Sequence, residues 1–170
     1  IAAVSSSTDP SSFQNFGPFT PGFTKIPYED LETLEIALAN PNVAAFMVEP
    51  IQGEAGVRVP FAGYLKAASE LCRKHRVLFI ADEIQTGLGR TGAWLACQHE
   101  GVQPDVLLLG KALSGGFMPV SAVLASDEVM LTLKPGEHGS TFGGNPMACV
   151  LSMTALSIIE EEQLVENAGA

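Results

Sequence analysis

The sequence has 170 residues, which is enough for one domain with a buried core. Hydrophobic residues make up 46% of it, so a folded globular chain is favoured over a disordered one. The formal net charge of −10 argues against a nucleic acid partner, because a phosphate backbone is bound by basic surfaces. No apolar run reaches the roughly 18 residues that a membrane helix needs.

Short apolar runs alternate with helical patterns along the chain. Residues 5–27 are rich in Ser, Pro, Gly and Phe and are predicted to be irregular. Helices are predicted over residues 28–39, 62–75 and 146–162, and strands over residues 43–48, 77–81, 106–109 and 120–125. This alternation predicts an α/β fold with a mostly parallel sheet and flanking helices.

Three polar residues follow predicted strands at the point where each strand ends. Glu49, Asp82 and Lys111 all lie at or just beyond such ends. Because ligands of parallel sheets gather beyond the carboxyl ends of strands, this edge is the predicted functional site.

Asp82 directly follows the apolar run 77–81, where an isolated carboxylate needs a partner. It either caps a turn by accepting backbone N–H groups or serves a ligand, and the sequence leaves both interpretations open. The alternation of side chains along a strand places Asp82 and Glu83 on opposite faces, so they are a poor acid–base pair.

Lys111 follows four apolar residues and a glycine. A partly desolvated lysine favours its neutral amine, which can form a Schiff base with a carbonyl compound. The alternative is a surface lysine whose stem covers apolar neighbours.

Together, Lys111 and Asp82 match what pyridoxal 5'-phosphate requires of a protein. The lysine carries the aldehyde, and the acid keeps a proton on the pyridine nitrogen. The cofactor's phosphate needs hydroxyls and backbone N–H groups, which residues 138–145 and the predicted helix beginning at Pro146 supply.

Two other motifs are weaker. Residues 87–92 read G-x-G-x-x-G, a pattern of nucleotide-binding modules, but five residues separate Gly87 from the preceding strand. We therefore interpret the motif as a loop. The C-x-x-H pair of Cys72 and His75 lacks a second pair at metal-binding spacing, so no metal site and no disulfide are predicted.

Four ordered blocks, at residues 48–54, 82–87, 110–116 and 139–146, resemble the signature segments of class III aminotransferases. The resemblance implies a fold-type I transferase that depends on pyridoxal 5'-phosphate and acts on amino acids and 2-oxo acids as a homodimer or higher homo-oligomer. It also implies that residues 1–170 are part of the large domain. We expect the upstream cofactor-binding segment and the C-terminal small domain to lie outside the chain, which would then be inactive alone.

The resemblance also implies residue roles. Lys111 would hold the cofactor and shuttle a proton, and Asp82 would pair with the ring nitrogen. Ile84 would pack on the ring, and Gln85 would bind its phenolic oxygen.

Outside the ring, Ser140 and Thr141 would bind a phosphate, usually that of the neighbouring subunit's cofactor. Glu49 would position Gln85 and the substrate side of the site. Glu54 would pair with a substrate-side arginine that lies outside this chain.

Within the class, residues 134–141 and 7–10 look most like the ornithine subgroup. Its members move the δ-amino group of L-ornithine to 2-oxoglutarate, giving glutamate 5-semialdehyde and glutamate. Acetylornithine and other ω-aminotransferases of the class are the alternative, because they share the central blocks. The family implies a mitochondrial matrix or cytoplasmic location.

Overall fold

The computed structural model describes residues 2–170, which form one four-stranded sheet with helices around it. The strands are β1 (Ala45–Val48), β2 (Leu78–Asp82), β3 (Val106–Leu109) and β4 (Ala122–Ala125). The α-helices are α1 (Ala2–Ser6), α2 (Pro10–Phe13), α3 (Leu31–Leu38), α4 (Tyr64–His75), α5 (Asp127–Met130), α6 (Pro146–Glu161) and α7 (Leu164–Gly169). Two 3₁₀ helices span Ala96–Glu100 and Lys111–Ser114.

The sheet has the order β1-β2-β3-β4, and its first three strands are parallel. β4 runs antiparallel to β3. The predicted mostly parallel α/β fold is therefore confirmed. Val48 pairs with Ala81 and Asp82 pairs with Leu108, so the carboxyl ends of the three parallel strands meet at one edge.

The hydrophobic core lies on one face of the sheet, under α3 and α4. Leu34 of α3 and Tyr64 and Cys72 of α4 are buried there against Phe79 of β2. Side chains alternate along β2, so Phe79 faces this core and Ile80, next to it, faces the other way. The second face of the sheet is less covered, and Met47 and Val123 are exposed on it.

Local capping explains where the long helices begin. The Asp30 side chain accepts the Thr33 N–H at 2.8 Å, so α3 begins at Leu31 and not at residue 28. Gly63 has a φ of 89°, which delays the start of α4 to Tyr64. The predicted cap and first-turn proline of α6 are confirmed, since the Asn145 side chain accepts the Ala148 N–H at 2.9 Å.

The prediction for residues 5–27 was wrong in part, because α1 and α2 contribute helical turns there. Asp9 caps α2 and Pro10 opens it, but a helix of this length has no apolar periodicity to detect. Within residues 2–170, none of the helices combines the length and apolarity needed to cross a membrane.

Candidate active site

The sheet register brings the predicted polar residues to one edge. Glu49 follows Val48, whose partner Ala81 precedes Asp82, so the two carboxylates leave neighbouring strands side by side. Lys111 follows the end of the next strand, beyond Gly110. The prediction that these three residues share the carboxyl edge is confirmed.

Lys111 is held between two side chains from different loops. Its Nζ donates a hydrogen bond to Gln85 Oε1 and lies 3.9 Å from Glu54 Oε1. The lysine backbone has a φ of 42°, in the left-handed region that residues with a side chain seldom adopt. Such strain persists only where the surroundings impose it, and it concentrates at functional sites.

The predicted partial burial of Lys111 is not observed in the described residues. Its side chain is 53% exposed, because β3 ends two residues earlier and the 3₁₀ helix carries the lysine out beyond the sheet. The amine is thus positioned by polar contacts with Gln85 and Glu54 more than by an apolar wall.

Glu49 is half-buried and electrostatically linked to the other two residues. Burial raises the pKa of the Glu49 carboxyl, and the Gly53 N–H, 3.2 Å from Oε2, partly opposes this by stabilising the charged form. The charge of Asp82 raises the same pKa further, and that of Lys111 lowers it. Glu49 therefore responds to both proposed cofactor residues.

Tyr28 fixes the start of the loop that follows β1. Its hydroxyl donates to the carbonyl oxygens of Glu49 at 3.2 Å and Pro50 at 3.0 Å. Sequence reasoning missed this contact, because a tyrosine before α3 carries no signal of a partner beyond β1.

The turn-capping interpretation of Asp82 is confirmed, and the interpretation that it serves a ligand stays a prediction. Its Oδ1 accepts the Ile84 N–H at 3.1 Å, which is the turn-capping role. Within residues 2–170, Oδ2 takes part in no hydrogen bond or ion pair. One oxygen thus fixes the turn, and the other remains able to accept a hydrogen bond.

Glu83 lies on the opposite face and is buried, as the alternation predicts. Its carboxylate accepts the N–H groups of Cys97 at 2.8 Å and Ala96 at 3.0 Å, and the hydroxyl of Thr86. It joins the turn after β2 to the 3₁₀ helix Ala96–Glu100. Its sequence signal was a second charge directly after a buried strand.

Ser140 and Thr141 are not brought together with these residues. They lie in an exposed bend before α6, where Ser140 Oγ accepts the Gly143 N–H at 2.9 Å. Across residues 2–170, no hydrogen bond or ion pair links either residue to Asp82, Gln85 or Lys111. The bend leads into α6, which packs against the 3₁₀ helix Lys111–Ser114.

The glycines of residues 87–92 are explained by packing. A Cβ at Gly87 would lie 2.8 Å from the Glu83 carbonyl oxygen, and one at Gly92 would lie 2.8 Å from Gly169 Cα in α7. The loop leads to the 3₁₀ helix Ala96–Glu100, not to an α-helix whose N-terminus faces a phosphate. This geometry favours the loop interpretation over a nucleotide-binding module.

The C-x-x-H pair has separate surroundings at the end of α4. Cys72 is fully buried in the core, and His75 Nε2 lies 3.9 Å from Glu35 on α3. Both residues therefore serve the packing of α4 against α3 and the sheet.

A depression of about 260 Å³ lies at the opposite end of the sheet, away from these residues. Arg73, Arg76 and Asp105 line it. The Asp105 carboxylate already accepts the Phe79 N–H at 2.8 Å, so its role there is structural.

Comparison with known proteins identifies the family of the chain. The family Aminotransferase class-III matches residues 1–170. The chain belongs to this family.

Two relatives point to the ornithine subgroup. The chain is 68% identical over 168 residues to the mitochondrial ornithine aminotransferase of Rattus norvegicus, covering 99% of this chain and 38% of that protein. An ornithine aminotransferase structure from Toxoplasma gondii, described with partial occupancy of PLP at its active site, is 60% identical with a TM-score of 0.96. That match covers 99% of this chain and 39% of the other.

A third relative has a different name. A structure of acetylornithine aminotransferase from Elizabethkingia anophelis is 63% identical with a TM-score of 0.84, and the match covers 88% of this chain and 39% of that one. The chain thus spans about two fifths of the length of the relatives it matches.

Proposed function

We propose that this chain is the central part of an ornithine aminotransferase that depends on pyridoxal 5'-phosphate. The protein would transfer the δ-amino group of L-ornithine to 2-oxoglutarate, giving glutamate 5-semialdehyde and glutamate. The observation that carries the proposal is the meeting of Lys111, Gln85, Glu49 and Glu54 at the sheet edge where Asp82 also ends its strand.

The residues present fit the cofactor. When bound, pyridoxal phosphate supplies an aldehyde for an amine and a pyridinium ring that withdraws electrons from the substrate. The exposed Lys111 amine is the group that would react with the aldehyde. Asp82 Oδ2, which no other group of residues 2–170 occupies, suits a proton on the ring nitrogen.

The remaining contacts are assigned from the family pattern. Ile84 would pack against the ring, and the Gln85 amide would donate to its phenolic oxygen. Ser140 and Thr141 would bind the phosphate of the cofactor in a neighbouring subunit. The lack of a hydrogen bond or ion pair between them and Lys111 within residues 2–170 supports this assignment.

Proton transfer is assigned to Lys111. Its Nζ would take a proton from the δ-carbon of bound ornithine and deliver it to the cofactor carbon that carried the aldehyde, and it would move a proton in the opposite direction when 2-oxoglutarate is the substrate. Glu49, whose raised pKa reflects its burial, would orient Gln85 from the substrate side. Glu54 is 90% exposed, so little holds it on Lys111 when a substrate-side arginine competes for it.

The whole protein is proposed to be longer and oligomeric. Residues 1–170 would form part of the large domain, with the sheet face around Met47 and Val123 covered by other segments. A homodimer or higher homo-oligomer is proposed, together with the mitochondrial matrix or the cytoplasm as its location. The matrix is favoured by relatives that are named mitochondrial.

A second candidate is acetylornithine transamination, which is favoured by the similarity to the Elizabethkingia anophelis structure. The experiment compares the two donors with the full-length protein and 2-oxoglutarate. We expect kcat/KM for L-ornithine to exceed that for N-acetylornithine by at least about 100-fold. The reverse preference would replace the first candidate by the second.

Lys111→Met in the same protein is expected to remove the visible absorbance of bound cofactor and to lower turnover at least about 1,000-fold. Lys66→Met, at an exposed position on α4, is the matched control and should change neither. A Lys111→Met protein that keeps both the absorbance and the turnover would refute the assignment.

A further inference from the structure

Gly53 lies against the side chain of Gln85 with no space between them. A Cβ at Gly53 would lie 2.2 Å from Gln85 Nε2, 2.4 Å from Cδ and 2.8 Å from Oε1. A carbon atom does not approach a non-bonded heavy atom this closely. A side chain at position 53 and the present conformation of Gln85 therefore exclude each other.

The backbone conformation does not itself require glycine at this position. Gly56, in the same loop, has a φ of 100° and needs the freedom of glycine. Gly53 is not among the residues with a positive φ. The steric conflict with Gln85 is therefore a sufficient reason for the missing side chain.

The loop cannot easily retreat from Gln85. Glu49 Oε2 accepts the Gly53 N–H at 3.2 Å, and the Gly53 carbonyl oxygen accepts the N–H groups of Gly56 at 3.1 Å and Val57 at 3.0 Å. Two hydrogen bonds between Gln52 and Arg58 close the base of the loop. A methyl group at position 53 would thus move the Gln85 amide, which is the flexible end of a side chain.

The amide that would move is the one that contacts Lys111. Gln85 Oε1 accepts from Lys111 Nζ, while Nε2 and Cδ rest on Gly53. We propose that Gly53 is a positioning residue: its bare backbone, anchored by Glu49, sets the orientation of the Gln85 amide at the Lys111 amine. The functional part of this inference rests on the function proposed above, and the steric part does not.

A double-mutant cycle in the full-length protein tests the steric part without cofactor. We expect Gly53→Ala to lower the melting temperature of the cofactor-free protein by about 3 °C. In a Gln85→Ala background the same change should have no effect, since the conflicting atoms are gone. Equal losses in both backgrounds, or no loss in either, would overturn the inference.

The pH titration of the visible absorbance tests the functional part in the holoenzyme. Gly53→Ala should shift the apparent pKa of this absorbance by at least about 0.5, because Gln85 no longer holds its hydrogen bond. In a Gln85→Ala background, Gly53→Ala should produce no further shift, and Ala55→Ser, an exposed change in the same loop, should produce none in the wild-type background. An unshifted Gly53→Ala titration would overturn the positioning role.

The two proposals fail in different ways. If wild-type protein shows no cofactor absorbance but the melting cycle shows coupling, the proposed function fails and the steric relation of Gly53 to Gln85 stands. If the absorbance is present and the melting cycle shows no coupling, the positioning role fails and the proposed function stands.

Discussion

Lys111 illustrates how much of the site is decided at single residues. Its left-handed φ of 42° follows Gly110, where a Cβ would lie 3.2 Å from Ile84 Cγ2. The chain is thus tightly packed immediately before the lysine and strained at it. The strained turn carries the amine beyond the sheet, where it donates to Gln85 and lies near the exposed carboxylate of Glu54.

Glu49 gives the site a pH dependence. Burial and the charge of Asp82 raise the pKa of Glu49 above its ordinary value. The Gly53 N–H and the charge of Lys111 lower it, but by less. The stability that Glu49 contributes is therefore fully present below its unfolded pKa and is lost as pH rises through the higher folded pKa.

Comparison of wild type with Glu49→Gln checks this sign. As pH rises from about 4 to about 7, the melting temperature of the cofactor-free wild type should fall relative to that of Glu49→Gln, which stays neutral. Glu161→Gln, at an exposed position on α6, should follow the wild-type curve more closely. Parallel curves for wild type and Glu49→Gln would contradict the prediction.

At the scale of elements, the last residue of β2 and the residue that follows it carry two carboxylates with different roles. Asp82 faces the candidate site, whereas Glu83 faces the core and accepts three donors from the turn and the 3₁₀ helix Ala96–Glu100. The alternation of a strand thus separates a group that is available for a ligand from one that holds the fold.

Replacing Glu83 should loosen that 3₁₀ helix locally. In Glu83→Gln, an NH₂ group replaces an accepting oxygen and leaves a buried backbone N–H unpaired, at a cost of about 1–3 kcal/mol. Hydrogen exchange at the amides of Ala96 and Cys97 should become at least about 10-fold faster. Glu70→Gln, exposed on α4, is the control, and unchanged exchange in Glu83→Gln would show that the carboxylate is dispensable.

At the scale of the whole molecule, the buried face protects two of the three cysteines. Cys72 and Cys97 are fully buried. Burial raises the pKa of Cys72 to about 12. The pKa of Cys97 is also raised, mainly by burial and to a smaller extent by the negative charge of Glu83. Both residues are therefore thiols, and not reactive thiolates, near neutral pH.

Alkylation measures this protection. At pH 8, iodoacetamide should leave Cys72 and Cys97 of the native protein unmodified, and it should modify both in urea. Peptide mass spectrometry of the two samples distinguishes the sites. Modification of either cysteine before unfolding would show that the core opens more readily than its packing indicates.

Much of this fold is predictable from local sequence. β3 was predicted with its observed bounds, because a continuous apolar run lies between Asp105 and Gly110. The start of α6 followed from Asn145 and Pro146. The direction of β4 was not predictable in this way, since an apolar run reads the same for a parallel and an antiparallel partner.

The candidate site also combines features that the sequence predicts with features that only the structure shows. The types and order of residues by themselves determined its chemistry, an amine and carboxylates placed after strand ends, and the family to which the chain belongs. Only the tertiary structure decided that Gly53 rests on Gln85, that Lys111 is strained and exposed, and that Ser140 lies apart from it. Local patterns encode caps, apolar runs and alternation, whereas contacts between distant loops depend on strand register and on how tightly the loops pack.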